Sequence, residues 1–174
     1  MCLNAYTNPQ NHFVMKSKIL NVGLLLVLFL TASFSSNAQS MNEEVDMIQS
    51  LYGMEKKALI AEFLGDAAND DFWSIYDAYE TERKSLGKDR LKLIKDYVTN
   101  YTSIEGEMAD GMVKRSEQLN SKLTGLISKY TKKVRKATNS KVAAQFYQIE
   151  NYLLGVTRLQ IMNNIPFLGE LQMK

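Results

Sequence analysis

The sequence has almost none of the residues that catalytic and metal sites use most. Its 174 residues include one cysteine, one histidine, two prolines and nine glycines. This low content of proline and glycine argues against a turn-rich β-sandwich and is compatible with long helices. One cysteine and one histidine exclude much catalytic and metal chemistry. With 45% hydrophobic residues the chain is too apolar for intrinsic disorder, and a net charge of +2 is no indication of nucleic-acid binding.

The N-terminal region has the layout of a secretory leader. A basic stretch at residues 15–18 precedes an apolar run at residues 22–30, and small residues then lead to Ala38. A membrane-spanning anchor is the alternative, but it needs about 18 or more apolar residues. We therefore predict a signal peptide over residues 15–38, cleaved after Ala38, and expect residues 1–14 to be a non-native extension upstream of the true start.

Cleavage would leave a single domain, residues 39–174, without cysteine or histidine, because Cys2 and His12 precede the cleavage site. General-base histidines, cysteine nucleophiles and His- or Cys-based zinc and copper sites are then excluded. No phosphate-binding glycine motif occurs, and the acidic cluster at residues 66–71 lacks the spacing of a calcium loop. We expect no cofactor, no metal and no enzymatic activity.

Apolar residues recur at helical spacing along this domain, and no alternating strand pattern of useful length occurs. The clearest stripe begins at Phe72 and predicts a helix from about Asp70 to Tyr101. Asn69 precedes this helix and suits an N-cap. At 1.5 Å per residue the helix would be roughly 48 Å long, which is too long for an ordinary compact globule.

Three further helices are predicted around this one. A helix with a less clear apolar pattern precedes it, and Gly53 and Gly65 interrupt that pattern. After a turn at residues 102–106 a third helix, with Met108 on its apolar side, continues to a break at residues 138–140, and a fourth ends at Ile165-Pro166. The sequence therefore predicts an all-α domain of about four helices. The second and third form a long antiparallel hairpin that turns near residue 104, with an elongated or cradle-like shape.

Charge is balanced overall but segregated along the chain. Residues 43–82 carry 11 acidic and two basic side chains, whereas residues 83–141 carry 15 basic and six acidic side chains. Basic residues at seven-residue spacing share one side of the third predicted helix, and two more reinforce its end. We call these six residues the basic stripe: Arg115, Lys122, Lys129, Lys132, Lys133 and Lys136.

Three interpretations of the basic stripe remain open. It is a solvated helix face, or it pairs with carboxylates of the second helix, or it attracts acidic segments of other proteins by electrostatic steering. The hairpin register predicts that Asp77 lies near Lys132 and that Asp71 lies near Lys136. The third interpretation makes the basic stripe a client-binding surface.

Two aromatic residues and one carboxylate also have alternative interpretations. Trp73 and Tyr76 lie at helical spacing and belong to the core or, if they are partly exposed, contact unfolded chains. With the basic stripe they form the predicted client-binding set. Glu150 lies on a strongly apolar helix and is expected to be a structural carboxylate paired with Lys95 or Arg158, rather than a catalytic one.

Three segments carry a resemblance to small exported helical proteins. They are Glu62-Phe63-Leu64 with the aromatic run at residues 72–79, the segment KVAAQFYQIEN at residues 141–151, and NIPFL at residues 164–168. Over roughly residues 45–170 the chain resembles proteins that look related to the Spy/CpxP class of periplasmic stress proteins. The Leu-Thr-x-x-Gln motifs of that class are not retained.

The resemblance implies a four-helix protomer, a homodimer that forms a curved cradle, and a soluble periplasmic location. It implies an ATP-independent holdase that binds unfolded clients during envelope stress. The alternative is a signalling module that binds a sensor kinase or a sigma-factor regulator. The expected partners are therefore unfolded or acidic protein segments, or a membrane signalling protein, and not nucleic acid. Zinc-binding relatives use histidines that residues 39–174 lack.

Overall fold

The computed structural model describes residues 52–165, and the regular structure in this part of the chain is helical without any strand. Two single 3-10 turns, Gly65–Ala67 and Tyr101–Ser103, separate longer elements. Those elements are four α-helices: residues 52–64 (α1), Asp70–Asn100 (α2), Gly106–Ala137 (α3) and Ser140–Asn164 (α4). The all-α prediction is confirmed. The leader predicted at residues 15–38 and the extension predicted at residues 1–14 lie outside the described residues.

Asparagine caps begin two of the helices. Asn69 Oδ1 accepts a hydrogen bond of 3.0 Å from the backbone N–H of Phe72 at the start of α2. Asn139 Oδ1 accepts two such bonds at the start of α4, from the N–H groups of Lys141 and Val142. These bonds satisfy N–H groups that the first turn of a helix leaves without an intrahelical partner. The predicted N-cap of the second helix and the predicted break before the fourth are confirmed.

Glycine allows two of the connections. Gly65, just after α1, has φ 54°, and Gly106, the first residue of α3, has φ 53°. A residue with a Cβ atom is strained in this left-handed conformation, and glycine is not. Both glycines therefore permit sharp changes of chain direction between helices.

Helices α2 and α3 run antiparallel. Later positions on α2 meet earlier positions on α3, as three pairs of hydrogen-bonded side chains show: Glu82 with Lys129, Arg90 with Asn120, and Asp96 with Arg115. Helix α4 then packs against α3. The predicted antiparallel order is therefore present, whereas the elongated or cradle-like outline stays a prediction.

An aromatic core joins the helices. Its largest side chains are at most 1% exposed and come from α2, α3 and α4: Phe72, Tyr76, Tyr79, Tyr130 and Phe146. The ring of Tyr79 lies 5.4 Å from that of Tyr130 and 5.3 Å from that of Phe146, edge to face in both pairs. Such pairs contribute about 0.5–1.5 kcal/mol each beyond the area that they bury. The core therefore fixes the relative positions of three helices.

The first turns of α3 extend past this core. The sequence predicts that Met108 lies on the apolar side of the third helix. This prediction is wrong, because the side chain is 44% exposed. No residue of α3 before Leu119 is buried, because the core that the other helices form against α3 lies along the second half of that helix, from Leu126 to Val134. No helix within residues 52–165 has the length and hydropathy of a membrane span.

Candidate functional site

All six residues of the basic stripe are exposed on α3. Two of them form ion pairs with α2, since Lys129 Nζ lies 2.8 Å from Glu82 Oε2 and Arg115 Nη1 lies 2.8 Å from Asp96 Oδ2. Tyr130 adds a hydrogen bond of 2.7 Å from its hydroxyl to Glu82. The interpretation as interhelical ion pairs therefore holds for these two members of the stripe.

The other four members are available to solvent. Lys122, Lys132 and Lys136 have no carboxylate within salt-bridge distance among the described residues. Lys133 Nζ lies 4.4 Å from the centroid of the Tyr130 ring, which is a cation–π contact. The stripe is therefore divided between residues that hold α2 and α3 in register and residues that carry unneutralised positive charge.

The two ion pairs predicted for the acidic end of α2, Asp77 with Lys132 and Asp71 with Lys136, do not form among the described residues. Asp77 accepts a hydrogen bond of 2.6 Å from Lys57, and not from Lys132. The reason is that α1 packs beside the first turns of α2 and brings its own lysine to this carboxylate. The position of Lys132 on α3 remains exposed and unpaired within the described part of the chain.

The two aromatic residues of the predicted client-binding set lie in different environments. Tyr76 is 0% exposed, so its prediction as a client contact is wrong. It is buried because its ring packs between those of Phe72 and Phe146, at centroid distances of 5.7 and 6.4 Å. Trp73 is half-buried against the core, and Lys57 Nζ lies 5.0 Å from its ring centroid. Tyr76 therefore forms no part of an open client-binding surface, whereas Trp73 keeps part of its side chain accessible.

A buried group of charges joins α1, α2 and α4, and we call it the buried charge cluster. Lys56 Nζ donates hydrogen bonds of 2.7 Å to Glu80 Oε1 and to Glu150 Oε2. The Tyr79 hydroxyl donates a bond of 2.5 Å to the same Glu150 oxygen, and Arg83 Nε donates to both oxygens of Glu80. Glu150 is thus a structural carboxylate as expected. Its partner is Lys56 rather than Lys95 or Arg158, because α1 covers this part of α4.

Burial and charge act in opposite directions on the cluster. Burial lowers the pKa of Lys56, but the charges of Glu150 and Glu80 outweigh it and raise that pKa above 10.5. Burial raises the pKa of Glu80, but Lys56 and Arg83 outweigh it and hold that pKa below 4.5. Burial, supported by the charge of Glu80, raises the pKa of Glu150 above 4.5 despite Lys56. The ammonium group therefore remains charged between its two carboxylates.

The cluster includes residues that the sequence interpretation did not single out. Lys56 follows Tyr52 by four residues and precedes Leu59 and Ile60 by three and four, so it lies on the apolar face of α1. A lysine at such a position signals a buried partner, since a buried ammonium group requires one. This periodicity was the signal available in the sequence.

A partly open cavity of about 70 Å³ lies beside the buried charge cluster, which contributes Lys56 and Glu150 to its wall. Two further cations, Arg90 and Arg158, line it together with leucine and isoleucine side chains. No group of three potential metal ligands occurs within residues 52–165. Both carboxylates of the cluster are already paired with Lys56 or Arg83, so the arrangement is suited to holding the helices together.

Comparison with known proteins adds no relative to this description. The chain matches no family model, no curated protein and no solved structure.

Proposed function

We propose that this protein is an exported, ATP-independent binding protein that holds unfolded, acidic segments of other proteins on the basic stripe of α3. The observation that carries the proposal is the unneutralised charge of Lys122, Lys132 and Lys136, which are exposed and unpaired within the described residues. The proposal includes export through the leader at residues 15–38, a periplasmic location and a homodimer, as the resemblance to the Spy/CpxP class implies.

The framework behind the stripe supports this proposal. The ion pairs of Arg115 and Lys129 with α2 hold the flank of α3 in place, and the aromatic core supports its buried face. Because the lysines project from an ordered helix, binding does not incur the backbone ordering cost that a flexible segment would incur. Unpaired exposed cations also raise the rate at which oppositely charged segments are encountered.

Exposed apolar side chains have a secondary role in this proposal. Large apolar residues with exposures of 44–62% are distributed over three helices: Met54, Met108, Val113, Tyr147, Tyr152, Leu159 and Met162. Single exposed apolar residues are normal on protein surfaces, and a hydrophobic docking site needs a contiguous patch. We therefore infer that clients are selected by negative charge and that apolar contacts add to binding afterwards.

The proposal is tested by the aggregation of two chemically denatured clients of similar size, one acidic and one basic, in the presence of the mature protein. We expect suppression of aggregation near stoichiometric ratio for the acidic client only. About 0.5 M salt should abolish it, because the Debye length then falls below that at physiological ionic strength. Equal suppression of both clients, or suppression that salt does not reduce, would contradict recognition by charge.

The signalling alternative predicts a different result in the same preparation. A signalling module would not suppress the aggregation of either client and would instead capture one membrane protein specifically. That outcome would contradict the holdase proposal and favour the signalling module.

A further inference from the structure

Two arginines from different helices converge on one amide oxygen. Asn120 Oδ1 on α3 accepts a hydrogen bond of 2.7 Å from Arg90 Nη2 on α2 and one of 3.1 Å from Arg158 Nη2 on α4. Neither guanidinium group contacts a carboxylate within the described residues. Two partly buried positive charges therefore share a neutral acceptor, with no anion to balance them.

Both arginines also have unused hydrogen-bond donors. The Nε atoms of Arg90 and Arg158 are buried, and neither has an acceptor among the described residues. Burial, together with the nearby charge of Arg158, lowers the pKa of Arg90. An anion bound at the two guanidinium groups would remove the repulsion between the two charges. It would also supply the acceptors that these N–H donors lack once the guanidinium groups turn toward it, because the Nε atoms themselves are covered.

The cavity that these arginines line determines which anion fits. Its wall is apolar near them, with Leu91, Ile94, Leu123 and Ile161 from three helices. Its volume of about 70 Å³ is about half that of a dry cavity of about 150 Å³ that accommodates benzene, so its enclosed part holds a carboxylate group and one or two methylene groups. The open side of the cavity leaves room for the end of a short chain. Glu150, the carboxylate among the lining residues, is already bonded to Lys56 and Tyr79.

We propose that this cavity binds a short aliphatic monocarboxylate, with the carboxylate between Arg90 and Arg158 and the alkyl chain against the leucine and isoleucine side chains. Planar guanidinium groups match the two oxygens of a carboxylate, and the apolar wall favours an alkyl tail over a fully hydrated anion such as phosphate. The site is separate from the basic stripe and does not depend on the function proposed for it.

Thermal unfolding of the mature protein with added butyrate tests this site, because a ligand that binds the folded state raises the unfolding midpoint with its concentration. Butanamide has the same alkyl chain without the charge, and inorganic phosphate has charge without the alkyl chain. We expect a rise with butyrate and none with either control. An equal rise with butanamide or phosphate, or no rise with butyrate, overturns the proposal.

Three variants locate the site. Arg158→Gln should require a butyrate concentration about tenfold or more higher for the same rise, because a charged hydrogen-bonding group is lost. Asn120→Asp places a carboxylate where both arginines already converge, so it should raise the midpoint without ligand and abolish the response to butyrate. Arg135→Gln, at an exposed arginine of α3, is the matched control. A full response to butyrate in Asn120→Asp or Arg158→Gln overturns the proposal, and client binding by Arg158→Gln should be unchanged.

Discussion

Lys56 and Glu150, 94 residues apart in the chain, form a buried ion pair with 2.7 Å between Nζ and Oε2. This contact joins α1 to α4, and the second carboxylate on Lys56, Glu80, adds α2 to the same centre. A buried ion pair often adds little stability compared with apolar residues of similar volume, but removal of one partner leaves an uncompensated charge. The cluster therefore adds a charged contact to the apolar packing of Leu59 and Ile60 that holds α1 against the other helices.

We predict that Lys56→Met destabilises the protein by about 3–5 kcal/mol, because Glu80 and Glu150 would then remain buried with one cation fewer. The free energy of unfolding, measured by urea denaturation, gives the value. The matched control is Lys57→Met at the neighbouring lysine, whose ion pair with Asp77 is exposed, and a loss of about 0–1 kcal/mol is expected there. Equal losses in the two variants would contradict the structural role of the cluster.

The tyrosines of the core predict how stability responds to alkaline pH. Burial and the charge of Glu150 raise the pKa of Tyr79 well above 10.0, so the folded state keeps a proton that the unfolded chain releases. The free energy of unfolding must therefore fall as pH rises above about 10, by at most about 1.4 kcal/mol per pH unit for this phenol. Urea denaturation between pH 9 and 11.5 measures the slope.

A pair of variants identifies the source of that slope. Tyr79→Phe removes the buried phenol and should make the slope smaller, although the variant is less stable at every pH because it loses the bond to Glu150. Tyr147→Phe changes a phenol that is 45% exposed and should leave the slope as it is. A wild-type slope in Tyr79→Phe would show that other groups determine the alkaline response.

The register of α2 and α3 is tested by exchanging charges. Lys129→Glu places a carboxylate beside Glu82 and should lower the melting temperature, and the double variant Lys129→Glu with Glu82→Lys should recover most of the loss. Lys122→Glu, at the unpaired position seven residues earlier, should leave the melting temperature close to that of the wild type. Recovery should be smaller in high salt, because exposed charges are screened. A double variant no more stable than Lys129→Glu would contradict the ion pair.

The helix boundaries were predictable from the sequence because local chemistry determines them. Asn69 is the predicted N-cap and Asn139 lies within the predicted break, and both accept hydrogen bonds from the first turn that follows. Antiparallel pairing followed from two long helices joined by a short turn. These features depend on residues a few positions apart.

The charged centres were not predictable in the same way, because they depend on which helices meet. Arg90 and Arg158 converge on Asn120 only after α2, α3 and α4 have packed in one register. Glu150 is predictable as a structural carboxylate, but its partner Lys56 lies on α1 and not at the predicted positions Lys95 or Arg158. Tyr76 illustrates a second limit, since aromatic spacing gives the face of a helix and not the depth at which a neighbouring helix covers it.

The most direct test of the binding proposal is a titration of a denatured acidic client with the mature protein and with Lys122→Glu combined with Lys132→Glu. The matched control is Lys92→Glu combined with Lys141→Glu, at exposed lysines of α2 and α4, which makes the same change in net charge. We predict that wild type and control suppress aggregation alike, whereas the stripe variant does not, with all three unfolding at similar temperatures. Full suppression by the stripe variant would contradict the proposal.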